Sequence, residues 1–282
     1  RRNCDLSFSN LCSWRFLYDT QYAVIDNFLV FKFWAGEQLA YMMPVGSGDL
    51  KAVLRELIED ADKEKHNFCM LGVCSNMRAD LEAILPGQFT FTENRDYADY
   101  IYLRSDLATL KGKKFQAKRN HINRFRNTYP DYEYTPITPD RIQECLDLEA
   151  EWCKVNNCDQ QEGTGNERRA LIYALHNFEA LGLTGGILHV NGKIVAFTFG
   201  MPINHETFGV HVEKADTNID GAYAMINNEF ANHIPEQYIY INREEDLGLE
   251  GLRKAKLSYQ PVTILEKYMA CLKDHPMDII RW

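Results

Sequence analysis

The chain has 282 residues, 45% hydrophobic and 25% charged, which excludes a disordered or collagen-like polymer and allows one large domain or two modest ones. Its 40 acidic against 31 basic side chains give a net charge of −9, which, if spread evenly, argues against a polyanionic partner. No run approaches the roughly 20 apolar residues of a membrane span, and no apolar stretch follows the first residues, so the sequence reads as cytoplasmic, without signal peptide or transmembrane segment.

Phe8, Leu11, Trp14, Phe16 and Leu17 open the chain as a short apolar segment. The run 23–34, a Gly36–Glu37 turn and the run 38–45 then predict an antiparallel hairpin. Asp49 is placed to cap a helix whose Leu50, Val53, Leu54, Leu57, Ile58 and Ala61 recur at spacings of three and four. A buried strand at 68–73, a helix at 78–85 closed by Pro86–Gly87, and strands at 89–93 and 99–104 follow.

The charge is not even. No acidic residue lies between Asp106 and Asp131, and Lys111, Lys113, Lys114, Lys118, Arg119, Arg124 and Arg126 fall inside that gap. Phe115, Ile122, Phe125 and Tyr129 share one side of a helical wheel, so the stretch predicts a helix docked by its apolar face and ended by Pro130. Lys114, Lys118, Arg119 and Arg126 are its candidate anion-binding side chains, against the alternative of a solvated basic exterior.

Beyond it the pattern predicts a strand at 132–137, a helix at 140–155, a polar loop at 156–166 and a helix at 168–181. A hairpin of 185–190 and 193–201 turns on Asn191–Gly192, the strongest short hairpin signal. Strand 206–213, helix 222–233, strand 237–242, helix 249–256 and strand 261–270 complete the chain. Among the eight cysteines, Cys69–Cys74 and Cys153–Cys158 share one spacing without the company of a zinc site, and they read as buried reduced thiols.

The two halves share an element order, β-β-β-α-β-α-β, at an offset of roughly 170 residues. That order resembles the Gcn5-related N-acetyltransferase domain. It implies an α+β fold of two tandem acyl-CoA N-acyltransferase-like domains, each a mixed, mainly antiparallel sheet flanked by helices. The expected division is 1–110, a basic connector helix at 111–130, and 131–282 as the likelier catalytic half. Segments 99–130, HVEKAD at 211–216 and 241–261 are similar to a bacterial family of unknown function whose fold is shared with the C-terminal domain of phosphatidylglycerol lysyltransferases. That group in turn resembles the Fem-type peptidyltransferases.

In such a fold the resemblance implies donor phosphates at the N-terminus of the helix after the fourth strand, where unpaired N–H groups and the dipole favour anions. Here that place is Lys214, Asp216, Gly221 and Tyr223, although Gly221 reads equally as a plain turn glycine. Glu213, at its strand end, is the candidate general base for an amine acceptor, with a pairing to Lys214 or Arg243 as the alternative. Asn242 and Glu244 follow the next strand as further catalytic candidates. Arg243, Asp246, Arg253, Lys256 and Tyr259 form a candidate acceptor cleft, or, for Arg243, a structural ion pair. No metal site is expected, and no hydrolase, P-loop, zincin or dinucleotide motif is present.

The sequence thus points to a transferase moving an acyl or aminoacyl group from acyl-CoA or aminoacyl-tRNA, with no tightly bound cofactor. The acceptor is an amine or hydroxyl on a small molecule or lipid headgroup. Several spaced cations suit tRNA better than a small thioester. A non-catalytic module that keeps the tandem fold and binds an anionic ligand is the competing reading.

Overall fold

The computed structural model describes residues 2–157 and 162–273. Its helices and strands follow the hydrophobic pattern closely. In chain order, the helices α1 (Phe8–Ser13) and α2 (Arg15–Tyr18) precede β1 (Gln21–Ile25), β2 (Phe28–Ala35), β3 (Gln38–Tyr41) and the short β4 (Val45–Gly46). Next come α3 (Leu50–Lys63), β5 (Cys69–Val73), α4 (Ser75–Ile84), β6 (Phe89–Glu93), β7 (Asp99–Leu103) and α5 (Arg104–Thr109). The basic helix is α6 (Gln116–Thr128), followed by β8 (Glu133–Pro136), α7 (Ile142–Asn156), α8 (Glu162–His176), β9 (Thr184–Val190) and β10 (Lys193–Pro202). The last elements are β11 (Thr207–Ala215), α9 (Ala222–His233), β12 (Tyr240–Asn242), α10 (Glu250–Leu257), β13 (Thr263–Leu265) and β14 (Tyr268–Leu272).

Two compact units emerge, each assembled from separated stretches of chain. The first comprises Trp14–Asp99, Glu245–Gly248 and the chain from Leu265; the second comprises the chain up to Ser13, Tyr100–Glu244 and Leu249–Ile264. The consecutive division at 110 and 130 does not coincide with them. The basic segment is part of the second unit's core, because Phe115, Ile122 and Phe125 are buried in one cluster with Met225 and Phe230 of α9.

The first unit's sheet runs β1-β2-β3-β5-β14-β6, with β3 and β5 parallel across α3. Asp49 caps α3 as expected, its Oδ1 accepting from the Ala52 N–H at 3.1 Å. The second sheet runs β13-β7-β12-β11-β10-β9-β8, with β11 and β12 parallel across α9. One face packs on α9 and α6, the other on α7 and α8.

Four expectations change. The long strand at 23–34 is two strands, because Asp26 and Asn27 both take positive φ (44° and 64°) and close a tight turn. The last strand is also two, and they belong to different sheets: β13 pairs in the second and β14 in the first. The loop expected to 166 is helical from Glu162, with Gly163 and Gly165 inside α8; Cys158 lies outside the described residues. Finally, Cys69 is not a reduced thiol. It faces Cys271 across the antiparallel β5–β14 ladder, with Cα atoms 4.1 Å apart, and the two form a disulfide. A pairing across 202 residues follows no local spacing, so the sequence does not reveal it.

Candidate functional site

The second sheet opens at one point. The parallel ladder between β11 and β12 covers Thr207↔Tyr240 to Gly209↔Asn242 and then stops, so the strands part beyond it. On its other edge β11 is irregular at the same level. Phe199 faces Val212 while Gly200 faces Val210, which leaves His211 as an extra residue in a β-bulge. A Cβ on Gly200 would collide with the carbonyl of Gly209, so the bulge needs glycine there. The bulge also swaps the faces of the strand. Val210 packs in the α9 cluster, Val212 in the α7–α8 cluster. Glu213 consequently faces α9.

Glu213 and Arg243 bridge the opening. The guanidinium Nη2 of Arg243 donates to Glu213 Oε1 at 3.0 Å, and the Asn227 amide on α9 donates to Oε2 at 3.1 Å. Both carboxylate oxygens are therefore engaged, and both side chains of the ion pair are largely buried. Arg243 lies over the rings of Tyr259 and Tyr102, at 4.9 and 5.6 Å from their centroids. Its Nη1 is buried with no hydrogen-bond partner, as is Asn227 Oδ1. Burial works against its charge, and the facing Glu213 carboxylate and the two tyrosines outweigh that, holding the guanidinium protonated. Lys256 donates to the Arg243 carbonyl at 2.6 Å, and Tyr102 donates to the Lys256 carbonyl at 2.7 Å, so this lysine fixes the backbone under the site.

One cation of the basic helix joins the cluster. Lys118 sits 4.0 Å from the Tyr259 ring centroid, half-buried. Burial, with the neighbouring Arg243, pulls its pKa below 10.5 against the opposing attraction of Glu213. Burial pushes Tyr259 up to about 12, with Arg243 opposing and Glu213 adding. Two cations thus meet one carboxylate beside two protonated phenols. Such a cluster carries a net positive charge.

Four of the other basic side chains of this stretch are engaged elsewhere. Arg119 donates to the carbonyls of Leu110 and Gly112 and to Gln116, closing the end of α5. Lys114 pairs with Asp106 at 3.0 Å and Arg124 with Asp220 at 2.9 Å. Arg126 lies 4.0 Å from Glu229, in the wall of a cavity of about 370 Å³ that Arg119, Asn123, Asn228 and Asn232 also line. Surface pairs of this kind are weak.

The donor-side candidates are arranged differently. Lys214 is buried, 2.8 Å from Glu167 and 3.6 Å from the Trp152 ring centroid, so its charge is already balanced. Tyr223 accepts the Trp152 indole N–H at 3.0 Å. Asp216 accepts from the backbone and side-chain N–H groups of Asn218, closing the turn. Gly221 has φ +81°, and a Cβ there would approach the His121 carbonyl to 3.0 Å. The N-terminus of α9 is packed against α6 at this glycine.

The remaining candidates divide. Asn242 is fully buried, donating to the Arg2 carbonyl at 2.7 Å and accepting from the Glu244 N–H at 2.7 Å. Glu244 accepts from Asn10 at 2.8 Å and meets Nδ1 of His211 at 2.7 Å. His211 Nε2 is buried with no hydrogen-bond partner. Arg253 lies on α10 of the same unit. Asp246 belongs to the first unit, buried against Arg95 and the Gly248 N–H. Sequence reasoning missed His211, Asn227, Tyr102 and Trp152 as site residues. The HVEKAD segment held His211, but strict alternation puts 211 and 213 on one face, and only the bulge separates them. Within either unit taken by itself, no three of the described His, Cys, Asp or Glu side chains converge as a metal site.

Comparison with known proteins agrees with this architecture. The family model described as phosphatidylglycerol lysyltransferase, C-terminal, matches residues 1–271. A crystal structure of a conserved protein of unknown function from Bacteroides thetaiotaomicron is 95% identical, at a TM-score of 0.95 over 97% of this chain and 92% of that one. L-PGS from Bacillus licheniformis is similar in fold at 19% identity and a TM-score of 0.66, over 95% of this chain and 89% of that one. An uncharacterised protein of Mycoplasmoides gallisepticum is 26% identical over 175 residues, 61% of this chain. The chain spans about half of that relative, 55% of its length. The fold is the expected α+β pair of mixed sheets flanked by helices. No helix among the described residues is long and apolar enough to cross a membrane.

Proposed function

The chain belongs to the phosphatidylglycerol lysyltransferase C-terminal family, and from that premise we propose that it transfers an acyl or aminoacyl group from an activated donor to an amine or hydroxyl acceptor. The observation that carries this reading is the opening between β11 and β12, bridged by Glu213–Arg243 and made net positive by Lys118. A phosphate satisfies the spare Arg243 Nη1 and gains from the half-buried ammonium. The donor is aminoacyl-tRNA or acyl-CoA, and Lys111, Lys113 and Arg124 extend the positive field for a longer polyanion. The packed α9 N-terminus and the balanced Lys214 favour the tRNA ester over coenzyme A. The acceptor is a small molecule or a lipid headgroup.

A second reading has its own support. Both oxygens of Glu213 are engaged, so this carboxylate is a poor free base, and an anion-binding module without turnover keeps the same cluster.

Purified protein supplied with labelled lysyl- or alanyl-tRNA and phosphatidylglycerol vesicles, and separately with labelled acetyl-CoA and a polyamine, tests the proposal. Transfer of label that is lost in Arg243→Gln and Lys118→Met supports it. Retention of aminoacyl-tRNA or acetyl-CoA without any product establishes the module instead.

A further inference from the structure

Two side-chain pairs span the opening past the last β11–β12 rung. Glu213–Arg243 is one, on the α9 face, and His211–Glu244 is the other, on the opposite face, with the gap between the strands joining them. We propose that His211 accepts the proton of the incoming acceptor during the transfer, with Glu244 as its positioning residue. This rests on the transferase reading and adds the identity of its base.

The geometry has three parts. First, His211 is the extra residue of the bulge, at the level where β11 breaks register with β10 on one side and leaves β12 on the other. Bulges of this kind re-aim a side chain, and they concentrate beside active sites. Second, Nδ1 lies 2.7 Å from a Glu244 oxygen that Asn10 also holds at 2.8 Å. A carboxylate accepts, so Nδ1 carries the hydrogen, and in the neutral imidazole Nε2 keeps its lone pair. A carboxylate orienting one imidazole nitrogen while the other faces the reaction is the arrangement of acyl-transfer bases on unrelated folds. Third, Nε2 is buried with no donor, while the side chain is only 4% exposed. An acceptor atom removed from water without a partner is costly, and an N–H or O–H of a bound acceptor removes that cost. Glu213, by contrast, has both oxygens occupied.

In the step itself the acceptor's amine or hydroxyl attacks the carbonyl carbon of the donor ester or thioester. The acceptor's proton passes to His211 Nε2 as the new C–N or C–O bond forms. The bond from that carbon to the leaving oxygen or sulfur breaks, and the imidazolium returns the proton to the leaving atom. Donor plus acceptor give acylated acceptor plus free leaving group, with no other reactant.

The intact protein, labelled with nitrogen-15 histidine, reports the tautomer by NMR without any assay. Protonated Nδ1 with bare Nε2 in the wild type, scrambled in Glu244→Gln, is expected; a protonated Nε2 in the wild type overturns the assignment. In turnover of lysyl-tRNA with phosphatidylglycerol vesicles, or of acetyl-CoA with a polyamine, His211→Gln lowers kcat by about 100-fold with donor KM within about threefold. An unchanged kcat in that variant, beside an active wild type, overturns this inference alone. A wild type that turns over neither donor overturns the transferase reading and this inference with it. If His211→Gln fails to fold by circular dichroism, Glu244→Gln decides: about a tenfold fall in kcat supports the positioning role, and none overturns it.

Discussion

Each sheet contains one parallel step closed by a helix, β3–α3–β5 in the first unit and β11–α9–β12 in the second. The two steps end on different chemistry. Past Tyr41↔Met70 the first continues as Met42, Met43 and Pro44 after β3 and Leu71, Gly72 and Val73 on β5, with Met43, Pro44 and Val73 buried. Past Gly209↔Asn242 the second continues into His211, Glu213, Arg243 and Glu244. One opening is filled with apolar side chains and the other with charge. The polar groups of the first step lie on its helix side instead, where Asp60 takes the Tyr41 hydroxyl at 2.7 Å and Lys32 at 2.9 Å. Burial, then that carboxylate, holds the Tyr41 phenol protonated. Wiring places a gap between two strands, and the residues at the strand ends decide whether it is core or site.

The largest expected effect is at the second opening. Glu213→Gln leaves Arg243 buried without its counter-charge, and urea unfolding should show a loss of about 3–5 kcal/mol. A loss under 1 kcal/mol would mean that the opening is wetter and closer to a surface pair. In the first unit the cross-strand disulfide is the corresponding tie. Cys271→Ala is expected to cost about 2–5 kcal/mol, and reductant should bring the wild type to the same unfolding midpoint. Gly221→Ala tests the packing of α9 on α6. Its positive φ and the close His121 carbonyl predict a cost of about 1–2 kcal/mol, read as a lower Tm.

The smallest effect separates stability from function. Lys118 has a folded pKa below its free value, so the unfolded chain binds more protons between the two. Wild-type stability therefore rises with pH through that window up to about 10.5, and Lys118→Met removes the rise. The same variant should match or exceed the wild type in stability at neutral pH, because a half-buried charge disfavoured by its surroundings has gone. If it also retains full affinity for aminoacyl-tRNA, the second opening is not where the anion sits.

Much of this was legible in the chain. The amphipathic stripe of α3, the Asn191–Gly192 turn with both residues at positive φ, and the acid-free basic helix are local patterns, and local patterns survive in the fold. The pairing of Glu213 with Arg243 was one of two partners open from the sequence. The concentration of cations around α6 was legible, but which cation turns inward was not: Lys118 is selected by Tyr259, a residue 141 positions away that follows α10.

Composition, periodicity and element order determined the α+β class, the doubled wiring and the region that carries the charge, because each depends on residues within a few turns of one another. Tertiary structure alone decided that β14 returns to the first sheet and is bonded to it through Cys271, since the place it fills between β5 and β6 exists only in the assembled sheet. It alone decided that one extra residue in β11 separates His211 from Glu213, because a bulge exists only relative to a neighbouring strand. The net charge of −9 was a sum over the sequence; the cation pair that meets Glu213 was selected by burial.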